Sequence, residues 1–219
     1  MNREVAEIVK IYATKSDRYL NEYLLGKSKH NLMAALIDLL TMYMNDRNSS
    51  TLREFITVSL AGYTHTEDKV GYNGYRLTTY GKPLKCEAKP QNVRRDGKRK
   101  LNGGGNFTDY THERLRRDLK ENLNVLVSGF VDGRLLYVLE FPFSCPSFVS
   151  KLKRQLEKRF PEGDIPGQFL RSANFNYRDY VECENLRVVF CLPKPRLKAY
   201  RNNIVRGFYD FLLEVAPDA

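Results

Sequence analysis

Apolar residues recur at helical spacing at Val5, Ile8, Val9 and Tyr12, and again at Leu32, Leu36, Leu39, Leu40 and Tyr43. This predicts that the opening third is helical, with both stripes facing the core. Thr51-Leu-Arg-Glu54 then has the form of a capping box, in which Thr51 bonds a free backbone amide and Glu54 reaches back, so a further helix is predicted to start there. From residue 72 the period shortens. Residues 72–77 and 84–89 read as extended, and the Thr78-Thr-Tyr-Gly-Lys-Pro83 segment between them has turn chemistry, which predicts a β-hairpin. The polar, basic stretch 92–106, with Gly103-Gly104-Gly105, reads as a surface loop. Thr108 or Asp109 is placed to cap a helix running to about residue 122, with Leu115 and Leu119 on its buried side. Residues 124–130 and 134–141 are β-rich, and Asp132-Gly133 between them supplies the positive φ angles of a tight hairpin turn. A basic helix at about 147–159, an irregular stretch, a buried strand at 186–192 and a helix near 197–215 complete the pattern. The order of elements predicts an α+β fold with a central mixed β-sheet flanked by helices.

The length of 219 residues suits a single domain, 1–219, with a helical part at 1–50, a presumed catalytic core at 51–145 and a helix–strand–helix part at 146–219. No apolar run approaches the roughly 18 to 20 residues that span a bilayer, which excludes a transmembrane helix and makes a membrane partner unexpected. The N-terminus lacks the pattern of a signal peptide, so an intracellular, cytoplasmic protein is expected. Four scattered cysteines and three histidines argue against a zinc finger or a disulfide scaffold.

The net charge of +10 changes the picture because it is concentrated. Residues 94–100, 114–120, 151–159 and 194–206 hold 19 basic and 3 acidic residues, whereas the rest of the chain holds 17 and 23. A polyanion is the natural partner for such clusters, since each phosphate neutralised by Lys or Arg releases counterions. Arg94, Arg95, Lys98, Arg99 and Lys100 are the first candidates for backbone contacts, with Arg116, Arg117 and Lys120 next. Asn102 and Asn106 beside the glycines are candidates for base contacts.

Phosphodiester hydrolysis on a basic surface calls for a divalent metal held by carboxylate and carbonyl oxygens. In Lys85-Cys86-Glu87-Ala88-Lys89-Pro90 the side chains of Glu87 and Lys89 lie two apart on a predicted strand and so project from one face. Glu87 and the Ala88 carbonyl then serve as metal ligands, and Lys89 holds the attacking water or offsets transition-state charge. The same spacing occurs at Glu67-Asp-Lys69, in the loop at Asp96-Gly-Lys98 and on the helix at Asp118-Leu-Lys120, where two apart does not share a face.

Glu87-Ala88-Lys89 on the second strand of a hairpin resembles the Glu-x-Lys half of the PD-(D/E)XK nuclease superfamily, typified by type II restriction endonucleases. The resemblance covers residues 51–130 in order of elements and implies a restriction-endonuclease-like core. The family's first-strand acid falls on Asp68 by spacing, or on Asn73 by hairpin geometry, which sets Gly74 about opposite Glu87; Glu54 or Glu67 matches its additional acid. The resemblance implies a Mg²⁺-dependent, sequence-specific endonuclease of double-stranded DNA, with Mn²⁺ as a substitute metal and no small-molecule cofactor. A homodimer cutting both strands of a palindrome is the expected assembly. The competing expectation is a non-catalytic nucleic-acid-binding protein in which Glu87 and Lys89 form a plain ion pair, and an RNA-cutting or repair nuclease of the same fold is a further alternative.

Overall fold

The computed structural model describes residues 3–45, 50–66, 72–79, 81–121 and 123–218. The helical period of the opening third gives α1 (Arg3–Thr14), α2 (Asp17–Leu25), α3 (Lys29–Asn45) and α4 (Thr51–Leu60). The strands and helices that follow are β1 (Thr64–His65), β2 (Gly74–Arg76), β3 (Leu84–Val93), β4 (Gly105–Tyr110), α5 (His112–Lys120), β5 (Leu123–Val131) and β6 (Arg134–Pro142). The last third adds α6 (Pro146–Arg159), β7 (Leu170–Phe175), β8 (Arg187–Cys191), α7 (Lys194–Leu197) and α8 (Arg206–Val215).

Among the described residues the main sheet has the order β1-β2-β3-β5-β6-β8, parallel at β3–β5 and antiparallel elsewhere. The chain is therefore α+β with a mixed central sheet flanked by helices. The parallel pair needs a crossover, and β4 with α5 supplies it. The β5–β6 hairpin turns at Asp132 and Gly133, whose φ angles of 48° and 79° are the positive pair that Asp-Gly was expected to give. Both strands are buried along nearly their whole length, since helices cover both faces.

On one face Cys86, Ala88, Leu126 and Val138 pack against residues of α1 and α4, including Val5, Val9, Ile56 and Val58. On the other, Val125, Val127, Leu139 and Phe141 join an aromatic-rich core with Phe107, Phe143, Phe148, Phe175 and Phe208. Glu87 and Lys89 lie beside Val125 and Val127 in the parallel register, so their side chains belong to this second face.

Several expectations need correction. No capping box forms at α4: its N-cap is Ser50, without a side-chain hydrogen bond. The stripe on α3 is not core along its length, for Leu36, Leu40 and Tyr43 are 49%, 53% and 64% exposed. The glycine-rich stretch is not a plain surface loop. Leu101, Gly103 and Gly104 are buried, and Leu101 exchanges backbone bonds with the segment before α8, donating to Asn203 O and accepting from Val205 N. Beyond them β4 pairs with β7, which lies in the stretch read as irregular. Because β4 runs to Tyr110, α5 starts late, capped by Thr111, whose side chain accepts from the Arg114 amide. The last helix is divided into α7, a 3-10 segment Lys198–Asn203 and α8.

Candidate active site

The site is built on the middle of β3. Lys89 Nζ donates to Glu87 Oε1 at 2.6 Å, and the two side chains are only 16% and 12% exposed. The strand's alternation sets them on one face, as their spacing implies. Lys89 is also held from above, its ammonium 4.5 Å from the centroid of the Phe107 ring on β4. Gly105, at the start of β4, makes this approach feasible, because a Cβ there would sit 2.7 Å from Lys89 Cβ. Further along the same face, Gln91 Nε2 donates to Asn102 Oδ1 at 3.0 Å, and that oxygen also accepts from Gly104 N at 3.0 Å. Through this oxygen Asn102 braces the glycine turn.

The neighbouring strand contributes Asn73. The register pairs Gly74 with Cys86, one residue from the pairing expected, which brings Asn73 level with Glu87. Asn73 N donates to Cys86 O at 2.8 Å, and its side-chain Oδ1 accepts from Ala88 N at 2.7 Å, extending the ladder past the end of β2. Asn73 Nδ2 donates to Glu54 Oε2 at 3.2 Å. Glu54, read from the sequence both as a cap and as a candidate additional acid, reaches from α4 to Asn73. Strand alternation turns the Ala88 carbonyl toward the same edge as its amide, the edge on which Asn73 lies. Glu67 and Asp68 lie outside the described residues.

Sequence reading missed Asp118. It was set aside as part of a helical Asp-x-Lys, yet it is 8% exposed and lies 3.6 Å from both Arg114 Nε and Arg117 Nε. Burial pushes its carboxyl above the usual aspartate range; Arg114 and Arg117 pull it back, and the negative charge of Glu87 pushes it up again. The signal in the sequence is its place three residues after Leu115, which is buried, while Leu119, the expected second core position, is 37% exposed. His112 is occupied structurally: its ring Nδ1 lies 2.9 Å from Asp164 Oδ1, and the Asp164 carboxylate accepts from the amides of His112 and Glu113 at 2.8 Å each.

The basic candidates bracket the site along the sheet. Arg94, Arg95, Lys98, Arg99 and Lys100 are all exposed in the β3–β4 connection, which Asn203 Nδ2 ties down by donating to the Arg94 and Arg95 carbonyls. Arg116, Arg117 and Lys120 are exposed on α5, whose end lies by the start of β3, where Lys85 pairs with Glu121. Asn106 is exposed on β4.

The oxygen donors around this part of β3 are the Glu87 carboxylate on the face of Val125, the Ala88 carbonyl, and the Glu54 carboxylate, which is tied to Asn73 at the strand's edge. This suits a hard cation such as Mg²⁺. Glu87 uses Oε1 for Lys89 and keeps Oε2, whereas Asn73 already gives its carbonyl oxygen to Ala88 N. Among the described residues no three His, Cys, Asp or Glu side chains gather closely enough to hold a metal by themselves, so the carbonyl is part of the fit. No protein-family model matches the chain, and no curated protein matches its sequence.

Proposed function

We propose that the protein is a Mg²⁺-dependent, sequence-specific endonuclease of double-stranded DNA with a PD-(D/E)XK-like active site, working as a homodimer. The observation that carries this reading is the Glu87–Lys89 pair at 2.6 Å on a strand whose edge is lined by Asn73, itself bonded to Glu54. Support also comes from the order α4, hairpin, β3, α5, β5 with β3 and β5 parallel, and from basic clusters at both ends of β3. Glu87 Oε2, the Ala88 carbonyl and Glu54 would hold the metal. When bound, Mg²⁺ supplies Lewis-acid polarisation of the phosphate and a lowered pKa for a bound water. Lys89 directs an ammonium at the phosphate, where it offsets the charge that grows in the transition state. Phe107 and Gly105 keep that ammonium from swinging away, and the exposed arginines and lysines hold the backbone on either side.

The test is incubation of the protein with plasmid and phage DNA in Mg²⁺, Mn²⁺, Ca²⁺ or EDTA, beside Glu87→Ala and Lys89→Ala. Discrete fragments that need Mg²⁺ or Mn²⁺ and fall at least about 10²-fold in both variants are expected. Salt-sensitive binding that is equal with and without metal, with no cleavage, would leave a basic binding protein.

A further inference from the structure

The β4–β7 ribbon has two unlike faces. Inward it presents Phe107, Tyr110, Ala173 and Phe175, all buried. Outward, the register sets Asn106 opposite Asn174 and Thr108 opposite Ser172, a row of amides and hydroxyls, with the charged Asp109 and Arg171 exposed at one end of it. A relay links three of them: Asn106 Nδ2 donates to Ser172 Oγ at 3.2 Å, and Ser172 Oγ donates to Asn174 Oδ1 at 3.0 Å. The relay fixes the orientation of both amides and leaves the Asn106 carbonyl oxygen and the Asn174 amino group with bonding capacity. The α6 helix anchors the ribbon from the side, since Gln155 accepts from Asn174 N and donates to Asn174 O at 2.9 Å each. Lys151 and Lys158 flank Gln155 along that helix.

In a molecule whose positive charge is gathered into clusters, this row of four uncharged polar side chains is a division of labour. Cations take phosphates, and uncharged amides and hydroxyls take base edges. A two-stranded ribbon has the cross-section that the major groove of a duplex admits. Its position suits the role, because Asn106 follows directly on Gly105, the residue packed against Lys89. We propose that the β4–β7 ribbon is the base-reading element of this protein, with Asn106, Thr108, Ser172 and Asn174 determining sequence preference on duplex DNA. The inference rests on the nuclease reading for the identity of the ligand, and its test separates the two.

A randomised duplex DNA library is passed over the protein in Ca²⁺, and the retained molecules are sequenced for the wild type and for Asn106→Ala, Ser172→Ala, Asn174→Ala and Arg116→Ala. Cleavage in Mg²⁺ is measured on separate samples, and thermal melting checks that each variant is folded. The wild type should enrich a defined sequence. Each ribbon variant should lose about tenfold in preference at one or two base pairs, with its salt dependence on random duplex unchanged. Arg116→Ala should keep the sequence and weaken all binding, with a salt slope shallower by about one. Ribbon variants that enrich the same sequence as the wild type would overturn the inference, as would a wild type that enriches nothing. Altered preference in ribbon variants without cleavage by the wild type would uphold the reader and sink the nuclease.

Discussion

At the scale of single residues, the site depends on what the structure leaves out as much as on what it includes. Gly105 has no Cβ, and that gap lets β4 lie against the Lys89 stem. A methyl group 2.7 Å from Lys89 Cβ forces the lysine off its place between Glu87 and Phe107. Gly105→Ala should therefore reduce Mg²⁺-dependent cleavage by about 10²-fold, the effect of misplacing a catalytic group by an ångström. Binding to random duplex DNA should be nearly unchanged, and single-turnover rates beside equilibrium binding read the two separately. Asp118 gives a second expectation, on stability. Its folded carboxyl titrates above the usual range because burial outweighs Arg114 and Arg117. Below the unfolded pKa of about 3.9 the group is protonated in both states and neutral in effect. As pH rises through that value toward the folded one, stability is lost. Asp118→Asn removes this loss, so the Tm of the variant relative to the wild type should become more positive as pH rises above the unfolded pKa of about 3.9. A difference that is flat or falls over that range would mean that the two arginines outweigh burial.

At the scale of elements, a buried carboxylate joins pieces that are distant in sequence. Glu140 on β6 is 3% exposed and accepts from Tyr63 Oη at 2.5 Å, from Asn124 Nδ2 at 2.6 Å and from Arg187 Nε at 2.8 Å. It ties β6 to β5, to β8 and to the turn between α4 and β1, the region from which Glu54 reaches the site. Burial alone would raise the Glu140 carboxyl, but these bonds hold it below the usual range. Its contribution is complete above the unfolded pKa of about 4.3 and disappears as pH falls through the folded value. Glu140→Ala should cost about 1–3 kcal/mol at neutral pH by leaving Tyr63 Oη and Asn124 Nδ2 without their acceptor, whereas the half-exposed Arg187 turns to water. In Glu140→Gln the acid limb of a plot of Tm against pH should be shallower than in the wild type. None of this network was legible in the sequence, because Tyr63 and Arg187 are brought to Glu140 by strand order and not by spacing. The β5–β6 hairpin was legible because Asp132 and Gly133 carry a local φ requirement, and the face shared by Glu87 and Lys89 because strand alternation is local. The glycine stretch misled for the opposite reason. Polarity and glycine suggested exposure, whereas Gly103 is the residue that fits under Phe208, whose ring would lie 2.6 Å from a Cβ there. Pairing of β4 with β7 across more than sixty residues is a tertiary fact that no local period announces.

At the scale of the molecule, charge and apolar surface together indicate how two copies meet. The net charge of +10, gathered in clusters, makes most approaches between copies repulsive. The outer side of α3 is the exception. Met33, Leu36, Leu40 and Tyr43 recur there at helical spacing and are 54%, 49%, 53% and 64% exposed, and Lys29, His30 and Asp38 are the basic and acidic residues of the whole helix. A neutral apolar stripe on a helix is self-complementary under two-fold symmetry, as a closed dimer requires. Pairing α3 with α3 would also leave the basic clusters of each copy free for DNA. It would cover Leu36, Leu40 and Tyr43, which the sequence assigned to a core and the monomer leaves in water. Leu36→Glu with Leu40→Glu places two charges per copy in that seam and should give a monomer by sedimentation equilibrium, whereas a dimer is the outcome expected of the wild type. The substituted positions are half-exposed, so each chain should keep its fold. Cleavage of supercoiled plasmid then distinguishes assembly from chemistry: a monomer with an intact Glu87–Lys89 site should accumulate nicked circles, and the dimer should yield linear DNA. Retention of the dimer in the double variant would place the interface elsewhere, and a wild type that is monomeric at all concentrations would remove the two-fold reading altogether.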